Sequence, residues 1–135
     1  MKKKTYPFIS AGKKQQFARS VVAGDLVFLS GTTGRILETG EIVAEDLEGQ
    51  MRAAMDKIRT ALTEAGTSMD NLVKLTIYLK NLGDYEAMRQ IEKEYWQKCA
   101  PRLLEEPPAS TVIQAISLTH PKILVVVDAI ALIPH

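Results

Sequence analysis

Cysteine and histidine are nearly missing from this chain of 135 residues, and their scarcity removes whole classes of chemistry. Cys99 is the only cysteine, so an internal disulfide and a multi-thiolate zinc site are excluded. It falls near the end of an amphipathic pattern, where a buried inert thiol is expected rather than a nucleophile. The two histidines, His120 and His135, stand far apart, which argues against a histidine-built metal site. No metal and no cofactor is expected. Ser30 and Ser110 have no recognisable histidine partner and no nucleophile-elbow context, so a serine nucleophile is not expected either.

An excess of charge is also lacking. With 17 basic and 16 acidic side chains the net charge is +1, which gives no chain-wide attraction for a phosphate backbone, and no nucleic-acid partner is expected. The one basic run, Lys2 to Lys4, reads as a solvated tail. Long apolar runs are missing as well. The residues after the lysines, TYPFISAGKK, form no continuous apolar segment, so neither a secretory signal nor a membrane span is expected and a cytoplasmic protein is. There is no internal repeat and no low-complexity segment.

What remains is an ordinary globular composition, 46% hydrophobic and 24% charged. A chain of this length suits a single domain over residues 1–135, with about two-thirds of the unfolded surface buried. The stretch that organises it is Ala23 to Arg35, AGDLVFLSGTTGR. Leu26 to Leu29 are all apolar and point alternately to the two faces of a sheet, so both faces need cover. The strand then gives way to Ser30-Gly31-Thr32-Thr33-Gly34, hydroxyls and flexible backbone that can floor a site or make a plain turn.

Around this stretch, Tyr6 to Ile9 reads as a short edge strand. Gln16 to Val22 reads as a strand turned back at Ala23-Gly24-Asp25. Helical spacing of Leu47, Met51, Ala54, Met55, Ile58, Ala61, Leu62 and Ala65 gives a first helix, with Lys57 and Arg59 among the polar residues opposite. Asp46 is its expected cap and Gly66 its terminator. Asn71 to Lys80 alternates as a strand with Val73, Leu75, Ile77 and Leu79 on one face. A second helix, capped by Asp84, turns Tyr85, Met88, Ile91, Tyr95 and Cys99 inward until Pro101 ends it. Val112 to Ile116 and Ile123 to Ile133 are the last strands, the final one apolar on both faces except for Asp128. The order is β-β-β-α-β-α-β-β, an α+β arrangement with two helices on one face of a mixed sheet. Two helices cannot cover both faces, so the bare face should be buried against further copies of the chain.

Asp128 is the candidate catalytic residue. A carboxylate in an apolar strand is either paired with a donor or raised in pKa, and it serves either a ligand site or a structural contact. No second carboxylate is tied to it, which gives no support to a two-acid hydrolytic mechanism.

FARSVVAGDLVFLSGTTG (Phe17 to Gly34), YLKNLGDYEAM (Tyr78 to Met88), PPASTV (Pro107 to Val112) and VVVDAIAL (Val125 to Leu132) resemble the RidA/YjgF family in order and spacing. The resemblance covers nearly the whole chain. It implies a chorismate-mutase-like fold, a homotrimer whose sheets form a central barrel, and clefts between subunits. In the active members that cleft hydrolyses enamine/imine intermediates to ammonia and a 2-keto acid. The residues it implies here are Ser30-Gly31, which match, and three that depart from the family pattern. The family Arg of a Pro-Ala-Arg motif falls at Ser110, the Glu at Asp128 and the Tyr at Phe17, while a frequent Asn falls at Arg89. A hydroxyl offers one weak donor where a guanidinium offers a charged fork. The resemblance therefore implies a small metabolite held between subunits by Phe17, Ser30, Gly31, Thr32, Ser110 and Thr111, with weak or absent 2-iminoacid deaminase activity. Arg19, Arg35 and Arg89 are the candidate substitute cations, Arg35 first because it closes the SGTTG loop. If the protein is an enzyme, a hydrolase on a differently anchored substrate is the expected class. The endoribonuclease and translation-inhibitor names borne by some members find little support in a charge of +1.

Overall fold

A computed structural model describes residues 2–134. Six strands and two helices follow one another as β1 (Lys3–Ser10), β2 (Lys13–Ala23), β3 (Leu26–Thr32), α1 (Leu47–Glu64), β4 (Leu72–Leu79), α2 (Tyr85–Cys99), β5 (Ala109–Gln114) and β6 (Val125–Leu132). The strands form one sheet in the order β1-β2-β3-β6-β4-β5. Only the β4–β5 pair is parallel, and α2 supplies the crossover that a parallel pair requires. The fold is thus α+β with a mixed sheet, as the pattern predicts.

The first hairpin is longer than its apolar residues suggest. Ala11 and Gly12, both at positive φ, make the turn, and pairing runs back to Lys3 opposite Ala23 and Lys4 opposite Val22. Lys3 and Lys4 are therefore strand residues and not a free tail. Their side chains stay in water, with the Lys4 ammonium 5.0 Å from the Tyr6 ring centroid. Backbone pairing asks nothing of side-chain polarity at an exposed edge, so a basic run can extend a strand.

Helix α1 ends as its sequence predicts. Gly66 takes φ +90°, the Thr67 N–H bonds the Leu62 carbonyl at 2.9 Å, and the Gly66 N–H bonds that of Thr63. Neither predicted N-cap bond forms: Asp46 and Asp84 make no side-chain cap. For Asp84 the reason is local, since Leu82–Asp84 already form a 3-10 turn leading into α2. Asp84 therefore lacks the extended backbone that side-chain capping needs.

The core lies between the helices and one face of the sheet. Val27, Leu29, Leu75, Ile77, Val127 and Ala129 meet Met51, Met55, Ile58 and Leu62 of α1 and Met88 and Ile91 of α2. A register shift between Leu72 and Lys74 replaces the expected Val73 by Leu72 as the inward residue, leaving Val73 45% exposed. Across the helix-free face run the rows Val21–Phe28–Ile130 and Val126–Tyr78–Ile113. Phe28, Ile113 and Leu132 there are each more than 40% exposed. No helix of the described residues is long and apolar enough to cross a membrane.

Candidate functional site

The predicted site residues gather in two places on the sheet, the irregular end of β3 and the β4–β5 edge. At the end of β3 the register slips, so that Ser30 and Gly31 together face the single residue Asp128 of β6. Ser30 turns its hydroxyl to the Ala18 carbonyl at 2.6 Å. Thr32, beyond the bulge, is buried and its hydroxyl donates to the Ser30 carbonyl at 3.1 Å. Gly31 has no room for a side chain, because a Cβ would come within 2.9 Å of Val126 Cγ1.

Beside Gly31 opens a cavity of about 440 Å³. Phe8 and Phe17, with ring centroids 5.1 Å apart, form its apolar wall. Arg35 and Lys57 bring positive charge to it. Arg35 is held by donation from Nη1 to the Gly40 carbonyl at 2.7 Å, and Lys57 Nζ donates to the Arg35 carbonyl at 2.9 Å. Burial pushes the Lys57 ammonium down to about pKa 8, and the cations of Arg19 and Arg35 push the same way. The helix pattern puts Lys57 on a solvated face. In the structure the segment after β3 folds over α1 there and encloses it.

The second group lies at the β4–β5 edge. Ser110 pairs with the inward-facing Leu75, so its side chain turns towards α2. There Arg89 Nη2 donates to Ser110 Oγ at 3.1 Å. The same guanidinium bonds Glu92 at 3.0 Å and the Tyr85 hydroxyl at 3.1 Å. Glu92 is 4% exposed, and burial raises its pKa against the opposing pull of Arg89. Thr111, one residue on, lies on the opposite face in the row Thr111–Thr76–Asp128, where Lys74 Nζ donates to its hydroxyl at 2.7 Å.

Asp128 has found a donor. The Tyr78 hydroxyl donates to it at 3.2 Å, and the carboxylate's charge raises the Tyr78 pKa, with burial adding to the shift. Within one chain the sheet thus separates Arg89 and Ser110 from Thr111 and Asp128, while Phe17, Gly31 and Arg35 share the cavity. Among the described residues no cluster of three or more His, Cys, Asp or Glu could hold a metal ion.

The family described as endoribonuclease L-PSP matches residues 10–133. A RutC family protein of Pyrococcus abyssi is 33% identical over 115 residues, covering 85% of this chain and 84% of that one. The chloroplastic Reactive Intermediate Deaminase A of Arabidopsis thaliana is 33% identical over 85 residues, covering 63% of this chain and 46% of that one. The crystal structure of the YjgF gene product of Escherichia coli superposes with a TM-score of 0.82 at 22% identity, over 96% of this chain and 98% of that one. The fold is that of the YjgF/L-PSP proteins, and the chain belongs to the RidA/YjgF family.

Proposed function

We propose that this protein assembles as a homotrimer that hides the helix-free sheet face and binds a small metabolite in clefts between subunits. On this reading 2-iminoacid deaminase activity is weak or absent. The observation that carries it is the state of the position where the resemblance calls for a substrate-clamping guanidinium. Ser110 stands there, and the Arg89 guanidinium that reaches it is already paired with the buried Glu92. An arginine so engaged has less charge to offer a substrate carboxylate than a free fork would. Asp128 supports the reading from the other face: it is tied to Tyr78, and it is a methylene shorter than the Glu expected there.

Assembly draws support from the exposed Phe28, Ile113 and Leu132 on one continuous face. The test is sedimentation at micromolar concentration together with ammonia release from imines generated by an amino-acid oxidase. A trimeric mass with ammonia at the background rate is the expected result. Robust release abolished by Asp128→Ala, or a single-chain mass, overturns it.

A second reading is favoured by the 3.1 Å contact between Arg89 and Ser110. Here the clamp comes from α2 instead of β5, and the protein is a hydrolytic deaminase acting on a differently anchored imine. The two are separated by turnover: only this reading has ammonia released by the wild type and lost in Arg89→Met. The Arabidopsis relative bears a deaminase name, which keeps hydrolysis in view as the reaction class.

A further inference from the structure

We propose that Lys57 and Arg35 form an anion site in the cavity walled by Phe8 and Phe17, and that it takes a small monocarboxylate with an aromatic or branched apolar body. The inference deepens the metabolite-binding reading and rests on it for its biological sense. The site itself is built within one chain.

Three observations converge on it. The cavity, at about 440 Å³, lies in the range of small-molecule sites, and its Phe8, Phe17 and Val126 walls suit an apolar body. Both cations are anchored by neutral carbonyls, Lys57 on that of Arg35 and Arg35 on that of Gly40. Neither forms an ion pair among the described residues, and two acids of α1 are engaged elsewhere. Asp56 accepts the Tyr95 hydroxyl at 2.6 Å, and Glu64 lies 4.0 Å from Arg19.

Arg19 stands behind Lys57, its guanidinium donating to the Lys57 carbonyl at 3.4 Å, and its charge adds to the other two. Three positive side chains packed this closely repel one another, and the lowered Lys57 pKa is a consequence first of burial and then of that repulsion. An anion relieves it. The lysine ammonium adds a point charge to the planar donors that remain on Arg35, a pairing suited to one carboxylate group. The ligand's remainder then lies against the phenylalanine rings. Lys57 thereby becomes a specificity-determining residue, selecting acids over their amides and esters.

The probes are benzoate, its neutral isostere benzamide and phenyl phosphate, titrated into the full-length protein by isotope-edited NMR. Benzoate should shift Phe17, Gly31, Thr33 and Arg35 resonances, and benzamide should bind about tenfold more weakly or worse. Lys57→Met and Arg35→Met should each weaken benzoate about tenfold or more, with dispersed spectra showing that the fold is kept. Lys57→Gln is the second variant, retaining a donor without the charge, and it should fail to rescue.

Equal binding of benzoate and benzamide overturns the proposal, as does unchanged benzoate affinity in Lys57→Gln. Tighter binding of phenyl phosphate than benzoate overturns the carboxylate assignment. The oligomer mass and the ammonia assay are unaffected by any of these results, so this inference can fail while the functional reading stands, and the reverse.

Discussion

Arg89 Nη2 lies 3.1 Å from Ser110 Oγ, so a guanidinium from α2 reaches the β5 position where the family resemblance calls for a guanidinium. If catalysis is limited by where that charge is rooted, exchanging the roots should restore it. Ser110→Arg combined with Arg89→Asn should release ammonia from oxidase-generated imines about tenfold or more faster than the wild type. Ser110→Arg alone should gain less, because two guanidinium groups would then share one place. No gain in the double variant would show that other changes, Phe17 or Asp128, limit the reaction.

The Tyr78 hydroxyl titrates above its ordinary range chiefly because Asp128 is charged beside it. Removing that charge should bring the midpoint back down. In Asp128→Asn, tyrosinate absorbance for one of the four tyrosines should appear at lower pH than in the wild type, and Tyr78→Phe should delete that component. An unchanged titration curve would mean the two groups are not in contact.

Lys57 ties stability to alkaline pH. Its ammonium has a folded pKa of about 8 against an ordinary lysine value of 10.5. Below about 8 it is charged in both folded and unfolded states, and the cost of burying it is present in full. Between about 8 and 10.5 the unfolded chain binds more protons, so stability rises with pH in that window and levels off above it. The difference in urea midpoint between wild type and Lys57→Met should therefore move in favour of the wild type from pH 8 to pH 10. A constant difference would refute the depressed pKa.

Gln50 is fully buried and ties the segment before α1 to the segment before β6. Its amide nitrogen donates to the Ala44 and Lys122 carbonyls at 3.0 and 2.8 Å, and its oxygen accepts the Leu124 N–H at 2.8 Å. Gly34 packs on its backbone, with room for no Cβ: one would stand 2.6 Å from Gln50 Cα. Gln50→Leu strands three backbone groups and should cost roughly 2–5 kcal/mol by denaturant unfolding. Gly34→Ala should cost about 1–3 kcal/mol through overpacking.

The bare sheet face gives the last expectation. Phe28→Arg puts a charge at the centre of the row Val21–Phe28–Ile130. It should shift sedimentation towards the mass of a single chain while leaving the helix content seen by circular dichroism in place. A mass unaffected by this change would remove that face from the interface.

The alternation and helical spacing of apolar residues were sufficient for the element order, the mixed sheet and the face covered by helices, because burying a face or stripe is a local demand written in every second or every third-to-fourth residue. The same reading misjudged Lys3 and Lys4, Val73 and the Asp84 cap, where strand pairing, a bulge or a 3-10 turn settled the matter without changing composition; the expected Asp46 cap bond is also not made. Among the candidate residues, sequence could name Ser110, Arg89 and Asp128 but not their relation. The β4–β5 register sends Ser110 to α2 and Thr111 to the far face, and only the docking of α2 on the sheet sets Arg89 against Ser110. Lys57 carries no signal at all in a helix pattern that makes it a solvated polar residue. Its burial comes from a loop laid over α1 from another part of the chain, and long-range contacts of that kind have no period to be read.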